Sequence, residues 1–197
     1  GSAEAIEAAA KYIKWGQPAH PAEGPWRYGK GLSLGNKFTA YGLTGTEANV
    51  TLMDDDTLEI AVSHVEMGQG ALTVDSQQAA EFFKIPMSRI RIRNEDSDFM
   101  PYDEGTYCSR GTYINGNAVL LACEDAKRQL FQRAAKRLKV PEERLVTENA
   151  RVYDRDDPET GLYFHDLYAH GGWAEESKLV GRGTFMPEQA LNDPRNA

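Results

Sequence analysis

The chain has 197 residues, 41% of them hydrophobic, and a formal net charge of -8 at pH 7. These values are typical of a globular protein with one sizeable core. The acidic balance argues against a nucleic-acid or anionic-membrane partner, because either would favour a basic surface. The sequence has no apolar run of the roughly 18 residues that a membrane span needs and no signal-peptide pattern at its start, so we expect a cytoplasmic protein.

The first part of the chain, residues 1–26, is predicted to be separate from the main domain, which we place at residues 27–197. An alanine-rich helix is expected over residues 3–15, and the proline- and glycine-rich sequence after it indicates an extended connector. Residues 27–41 alternate apolar side chains with glycines, which predicts a strand. Both ends of the chain are irregular in sequence, so we expect a fragment of a longer protein.

The clearest part of the predicted sheet is a hairpin. Residues 47–53 and 57–63 alternate apolar and polar side chains on either side of an acidic triplet, residues 54–56. The triplet is interpreted as a solvated turn, because no further carboxylates follow at the spacing of a calcium loop. A helix is predicted over residues 71–83 and a strand over residues 89–93, which together form a strand-helix-strand crossover.

The longest helix is predicted to begin at residue 107 or 109 and to end at residue 138, because apolar residues recur at three- and four-residue spacing. Short strands are expected beyond it, at residues 145–146, 151–153, 162–164 and 177–184, with a hairpin turn over 156–161. Crossover and hairpin signals both occur. We therefore predict an α+β fold in two layers, with a mixed β-sheet and two main helices packed on one face.

Two glycine-containing loops each lead into one of these helices, and they form the candidate binding site. The first N–H groups of a helix and the helix dipole favour an anion such as phosphate at that point. Hydroxyl groups and the positive charge of Arg110 would add to this. Because glycine and serine are also ordinary capping residues, either loop alone would mean little, and the prediction rests on the two loops together. The candidate binding residues are Met67, Gly68, Gln69 and Gly70 in the first loop and Thr106, Tyr107, Cys108, Ser109, Arg110, Gly111 and Thr112 in the second.

The cysteines and histidines predict neither a disulfide nor a protein-bound metal. Cys108 and Cys123 do not form a CxxC pair, and the four histidines lack the spacing of metal ligands. Cys123 lies on the apolar side of the long predicted helix, so we expect it to pack in the core. Any metal would have to arrive inside a cofactor.

Several short motifs follow one another between residues 65 and 119. They are Val65-Glu66-Met67-Gly68-Gln69-Gly70, Gln78-Ala79-Ala80-Glu81, Ile85-Pro86, Asp96-Ser97-Asp98, Gly105-Thr106, Ser109-Arg110 and Gly116-Asn117-Ala118-Val119. In this order and spacing they resemble the second molybdopterin-binding region of the large subunit of the xanthine dehydrogenase and aldehyde oxidase family. The resemblance covers residues 27–138, and the pair Ser109-Arg110 looks closest to the hydroxybenzoyl-CoA reductase branch.

The resemblance implies a part-site for molybdenum held by a pterin dithiolene, expected in the cytosine dinucleotide form. In that family, the equivalents of residues 67–69 lie against the pterin, and the equivalents of residues 106–112 hold the pterin and its phosphate. The family's first cofactor loop and its catalytic glutamate match no position in this chain. We therefore assign no catalytic residue here and expect the chain alone to be inactive.

The resemblance also implies what the intact protein does and what accompanies it. Enzymes of that family oxidise or reduce a carbon centre of a small-molecule substrate, such as an aromatic heterocycle, an aldehyde or an aromatic CoA ester. Electrons leave through iron–sulfur clusters and FAD. The expected partners are the remainder of the large subunit and the domains or subunits that carry those iron–sulfur and flavin groups.

Two other interpretations are open from the sequence. The chain could be a stand-alone module that binds a nucleotide or another phosphate-bearing ligand without catalysis. Alternatively, the loops could be purely structural in a domain that mediates subunit assembly. The open, irregular sequence at both ends favours the cofactor-binding fragment, because a free module should end in capped elements.

Overall fold

The structure is a computed structural model that describes residues 1–21, 24–35, 45–94, 96–168 and 178–187. The chain forms two units, residues 1–38 and residues 39–197. The domain boundary after residue 26 stays a prediction from the sequence. Within the described ranges, no helix is both long and apolar enough to cross a membrane.

The second unit contains parallel and antiparallel strand pairs together with helices, which confirms the predicted α+β class. Short 3₁₀ turns at Met87–Arg89 and Glu142–Arg144 each precede a strand, and one π-helical turn, Gly111–Asn115, precedes the longest helix. In chain order the helices and strands are α1 (Ser2–Tyr12), β1 (Thr46–Leu52), β2 (Leu58–Ala61), α2 (Ala71–Phe83), β3 (Ile90–Arg93), α3 (Gly116–Leu138), β4 (Leu145–Glu148), β5 (Arg151–Asp154), β6 (Asp157–Tyr163), α4 (Phe164–Leu167) and β7 (Val180–Phe185).

The first unit holds α1 and the irregular segment after it. α1 confirms the predicted N-terminal helix, and none of its residues is buried. The strand predicted over residues 27–41 is wrong for residues 27–35, which form no strand. Glycines in that stretch raise the entropic cost of a fixed extended backbone and offer no side chains to pack. Residues 36–41 of the predicted strand lie outside the described residues.

The second unit is built on a four-stranded mixed sheet with the order β3-β2-β1-β7. β1 pairs antiparallel with β2, which confirms the predicted hairpin, and Leu52 lies opposite Leu58 next to the turn. β2 pairs parallel with β3, so α2 is the helix of a crossover, as predicted. α2 buries Ala79 and Phe83, and it ends where Lys84 adopts the left-handed conformation that commonly terminates helices.

The long helix α3 packs against β7 with the two backbones in contact. A side chain at Gly181 would collide with the backbone of Ala122, and one at Gly183 would collide with the backbone of Ala118. Glycine is therefore required at both positions of β7 for α3 to lie this close to the sheet. The helix ends at Leu138, as the sequence predicts.

The strands β4, β5 and β6 form a separate antiparallel sheet. The sequence predicts these strands but not their separation from the main sheet. The turn predicted over residues 156–161 is shorter than expected, because β6 begins at Asp157. Phe164 and Leu167 of α4 are fully buried and belong to the same apolar cluster as the residues of the main sheet, α2 and α3.

Candidate functional site

The two candidate loops meet at the starts of α2 and α3. Residues 62–70 lead from β2 into α2, and residues 96–110 lead from the β3 side into the π-helical turn before α3. The backbone N–H of Val65 donates a hydrogen bond of 2.6 Å to Oγ1 of Thr106, which ties the loops together. The structure thus brings together the two groups of residues that the sequence selects.

In the first loop, a carboxylate side chain of the protein accepts hydrogen bonds from the backbone at the start of α2. One carboxylate oxygen of Glu66 accepts hydrogen bonds from the backbone N–H groups of Gly68 (2.8 Å) and Gly70 (2.9 Å), and the other accepts from Leu72 (3.3 Å). These hydrogen bonds, the one from Gly70 first, hold the pKa of Glu66 below its usual value, although desolvation opposes them. The start of α2 is therefore already neutralised by a side chain.

The remaining side chains of the first loop are arranged around the same turn. Gln69 Nε2 donates to the carbonyl of Val65 (2.8 Å), and Gln69 Oε1 accepts from the N–H of Met67 (2.6 Å). Gly68 and Gly70 have φ angles of 104° and 80°, which strongly favour glycine. The Met67 side chain is 69% exposed, so it is available for contact with a ligand.

A buried ion pair holds the second loop in shape. Arg110 Nη1 lies 3.1 and 3.0 Å from the two carboxylate oxygens of Asp103, and both side chains are 1% exposed. The same nitrogen donates to the carbonyl of Gly105 (2.6 Å), and Asp103 also accepts from the hydroxyl of Thr46 (2.6 Å) and the N–H of Gly105 (2.7 Å). The charge of Arg110 is therefore balanced inside the protein.

The loop reaches the helix through two left-handed residues. Cys108 and Ser109 have φ angles of 50° and 55°, which are uncommon for residues other than glycine. Such strain persists only where the surroundings impose it, and it is often found at ligand sites. The hydroxyl-bearing residues Ser109 and Thr112 are exposed at this bend. The Tyr107 ring lies over the Arg110 guanidinium at 5.5 Å, and a hydrogen bond with Glu104 raises the pKa of Tyr107.

The start of the second helix is open, unlike that of the first. The sequence placed the helix start at residue 107 or 109, whereas helical structure begins with the π-helical turn at Gly111 and continues as α3 from Gly116. The N–H of Ile114 donates to the carbonyl of Arg110 (2.7 Å). Gly111, Thr112 and Tyr113 form the first turn of this helical segment, so their N–H groups lack an intrahelical acceptor, and the N-cap residue Arg110 makes no side-chain capping hydrogen bond.

The structure therefore divides the candidate residues by position. Met67, Gly68 and Gln69 lie on the exposed first loop, and Ser109 and Thr112 lie at the exposed helix start. Arg110 lies behind the loop in the buried pair, so its role as a cofactor contact stays a prediction. The sequence analysis missed Asp103 as the partner of Arg110, and the six residues between them gave no signal for the pairing.

Neither cysteine forms a disulfide. Cys123 is fully buried, which confirms its predicted place in the core, and burial raises its pKa to about 12. Cys108 is half-buried in the second loop. Among the residues that the structure describes, no cluster of three or more histidine, cysteine, aspartate or glutamate side chains is arranged to hold a metal ion.

Comparison with known proteins identifies the fold and its ligand class. Residues 5–197 match a family described as the molybdopterin cofactor-binding domain. The chain is 27% identical over 186 residues to the probable hypoxanthine oxidase XdhD of Escherichia coli strain K12, an alignment that covers 93% of this chain and 19% of that protein. It is 30% identical over 142 residues to the xanthine dehydrogenase molybdenum-binding subunit of Escherichia coli O157:H7, covering 68% of this chain and 19% of that subunit.

A solved structure gives the same result. The CO dehydrogenase from Oligotropha carboxidovorans is similar to this chain with a TM-score of 0.63 and 25% identity, over 72% of this chain and 18% of that chain. This chain thus corresponds to about a fifth of the length of the proteins that it matches.

The sheet, the two helices and the two loops at their starts form the fold of this chain. Together with the match over residues 5–197, they show that the chain belongs to the molybdopterin cofactor-binding domain family of the molybdenum hydroxylases, to which xanthine dehydrogenases belong. The resemblance seen in the sequence motifs is confirmed. The assignment to the hydroxybenzoyl-CoA reductase branch stays a prediction.

The residues at the two loops fit a pterin that carries a phosphate. The free N–H groups of Gly111, Thr112 and Tyr113 are donors for phosphate or pterin oxygens. A Cβ atom built on Gly68, Gly70 or Gly111 has no neighbour within 4 Å, so the backbone there is open to a ligand. The nearby carboxylates of Glu66 and Asp103 are already paired, which limits their repulsion of an anion.

Proposed function

We propose that this chain forms one side of the molybdenum–pterin cofactor site of an oxidoreductase in the xanthine dehydrogenase family. The observation that carries the proposal is the open start of the π-helical turn before α3, joined to the first loop by the hydrogen bond from Val65 to Thr106. A self-capped glycine loop beside an uncapped helix start offers one surface for a flat ring and one for its phosphate.

The two loops have different roles in this proposal. Residues 67–70 lie against the pterin ring, where Gly68 and Gly70 leave the backbone accessible. Residues 106–112 bind the phosphate end, with the N–H groups of Gly111 and Thr112 and the hydroxyls of Ser109 and Thr112 as donors. Arg110 acts through Asp103 by fixing the loop. When bound, the cofactor supplies the two-electron redox chemistry at molybdenum.

The proposal extends to the intact protein that carries this chain. We expect the cytosine dinucleotide form of the pterin, iron–sulfur clusters and FAD on other domains or subunits, and a cytoplasmic enzyme that oxidises or reduces a carbon centre. The small-molecule substrate belongs to the aromatic heterocycle, aldehyde or aromatic CoA-ester class. The chain alone is expected to be inactive, because the described residues include no group assigned to catalysis.

The first test is the molybdenum and releasable pterin content, per chain, of the full-length protein purified with its accompanying subunits. Near-stoichiometric metal and pterin would support the proposal. Their absence from a folded preparation supplied with molybdate would contradict it and would favour a module that binds another phosphate-bearing ligand.

The second test removes the two exposed hydroxyls at the helix start. We expect the double variant Ser109→Ala with Thr112→Ala to retain about tenfold less pterin, because two hydrogen bonds to an anion are lost. The exposed Ser88→Ala on the Met87–Arg89 turn is the matched control and should retain the wild-type amount. Unchanged retention in the double variant would contradict the role given to residues 106–112.

A further inference from the structure

A buried amide side chain, Asn115, and a partly buried one, Gln78, have no role in the site described above. Asn115 is the last residue of the π-helical turn, and its side chain is 2% exposed. Neither its Oδ1 nor its Nδ2 has a hydrogen-bond partner, and the buried Oε1 of Gln78 on α2 also has none. An unpaired buried polar group is strongly unfavourable, so these atoms require an explanation.

The contacts of Gly116 show that the Gln78 amide lies beside the residue that follows Asn115. A Cβ atom built on Gly116 would lie 2.8 Å from Gln78 Nε2 and 3.0 Å from Gln78 Oε1. The Gln78 amide therefore rests against the first residue of α3, immediately after Asn115. The unpaired atoms are complementary, because the Asn115 amide offers a donor and Gln78 Oε1 is an acceptor.

We propose that Asn115 and Gln78 are positioning residues for the cofactor loops, with their amides joined through one internal water molecule. Internal waters typically make about three hydrogen bonds to such otherwise unpaired groups. The link would fix the first turn of α3 on α2. It would thereby set the free N–H groups of Gly111 and Thr112 relative to residues 67–70, which precede α2.

This inference rests on the proposed function for its effect on the cofactor, but the pairing itself does not. Removing one amide leaves the other buried and unpaired, which is costly, whereas replacing both with apolar side chains of similar size is nearly neutral. The two changes should therefore be strongly non-additive. Two positions that share no partner would instead give effects that add.

The test measures the rate of pterin release from the full-length protein in five variants and the wild type. We expect Asn115→Leu and Gln78→Met each to release pterin about tenfold faster, and the double variant to return to within about threefold of the wild-type rate. The matched controls are Asn117→Leu, whose amide bonds the carbonyl of Tyr113, and Gln77→Met on the exposed side of α2. Both controls should release pterin at the wild-type rate.

Two results would overturn the inference. One is a release rate for Asn115→Leu equal to that of Asn117→Leu; the other is a double variant whose effect equals the product of the single effects. If Asn115→Leu does not fold, Gln78→Met tests the same link from α2, because methionine is compatible with a helix. Its rate is then compared with that of Gln77→Met, and equal rates contradict the link.

Failure of the proposed function is distinguishable from failure of this inference. If the wild-type protein holds no pterin, the proposed function is wrong, and the same variants are compared by hydrogen exchange of residues 111–116. Coupling between positions 78 and 115 in that exchange would still support the pairing, and additive effects would contradict it. A crystal structure that shows no water shared by the two amides would also contradict it.

Discussion

The two loops that meet at the candidate site begin helices in opposite ways. The first, residues 65–70, satisfies the start of α2 with the carboxylate of Glu66 and bonds its own Gln69 side chain inside the turn. The second, residues 105–112, has no side-chain cap on the first helical turn, and its ion pair is buried. One helix start is closed to an anion and the other is open.

This difference indicates which feature of a helix-start motif predicts a ligand. Both loops contain glycine and both precede a helix, so the sequence treats them alike. The decisive feature is whether a side chain of the protein already occupies the first-turn N–H groups. At α2 a carboxylate does so, which leaves the first loop as a rigid surface beside the ligand. At the start of the π-helical turn before α3 no side chain caps the helix, and in the proposed function its donors bind the phosphate.

The largest expected effect comes from breaking the ion pair behind the open loop. Asp103→Ala would leave the buried Arg110 without its partner, which should lower the local stability of residues 103–116 by about 3 to 5 kcal/mol. Native-state hydrogen exchange of those amides in the full-length protein measures this loss. Residues 65–70 should lose much less protection, because Glu66 holds that loop independently.

The matched control is an exposed ion pair on α2. Glu81 and Lys84 form a pair in which both side chains are more than half exposed, so Glu81→Ala should change local stability by less than about 1 kcal/mol. Equal effects of Asp103→Ala and Glu81→Ala would mean that the buried pair does not hold the loop. The role given to Arg110 in fixing the loop would then be wrong.

The sequence predicts local structure well where apolar residues recur with the period of a helix or of a strand. α2 was predicted with its observed bounds, and the β1–β2 hairpin and the crossover to β3 were predicted correctly. The family and the two loops also followed from the order of motifs. These features depend on residues that are close together in the chain.

Features that depend on distant pairing could not be predicted. The link between Val65 and Thr106 spans 41 residues, and nothing in either segment specifies the other. The periodicity of residues 107–115 gives no signal for the π-helical turn, Gly111–Asn115, that delays the start of α3 to Gly116. The strand expected over residues 27–35 fails because alternation with glycine gives a strand-like pattern without side chains that could stabilise a sheet.

Alanine substitutions at matched glycines should separate the two loops. Gly70 has a φ angle of 80°, so Gly70→Ala should destabilise the start of α2 by about 1 kcal/mol. Gly111 lies in a helical turn with ordinary backbone angles and open space around it, so Gly111→Ala should preserve or slightly raise stability. Its added methyl group should nevertheless reduce pterin retention, because it lies beside the free donors.

Hydrogen exchange and pterin content of the two variants in the full-length protein check this expectation. Two results together would support the difference between the loops. Gly70→Ala should lose protection at residues 68–74, and Gly111→Ala should lose pterin without losing protection at residues 111–116. It is contradicted if Gly111→Ala retains pterin fully, since the open space would then not be where the ligand lies.

The smallest expected effect is a pH dependence confined to the closed loop. The Glu66 carboxylate has a folded-state pKa below its ordinary value of 4.5, chiefly because Gly70 donates a hydrogen bond to it. Its contribution to stability is therefore fully present above about pH 4.5 and is lost as the pH falls through the lowered folded-state pKa. Protection factors of the Gly68, Gly70 and Leu72 amides should fall over that interval, while Glu66→Gln should show low protection at every pH. Equal protection in the two proteins at pH 7 would mean that the carboxylate does not close the start of α2, and both loops would then be open to an anion.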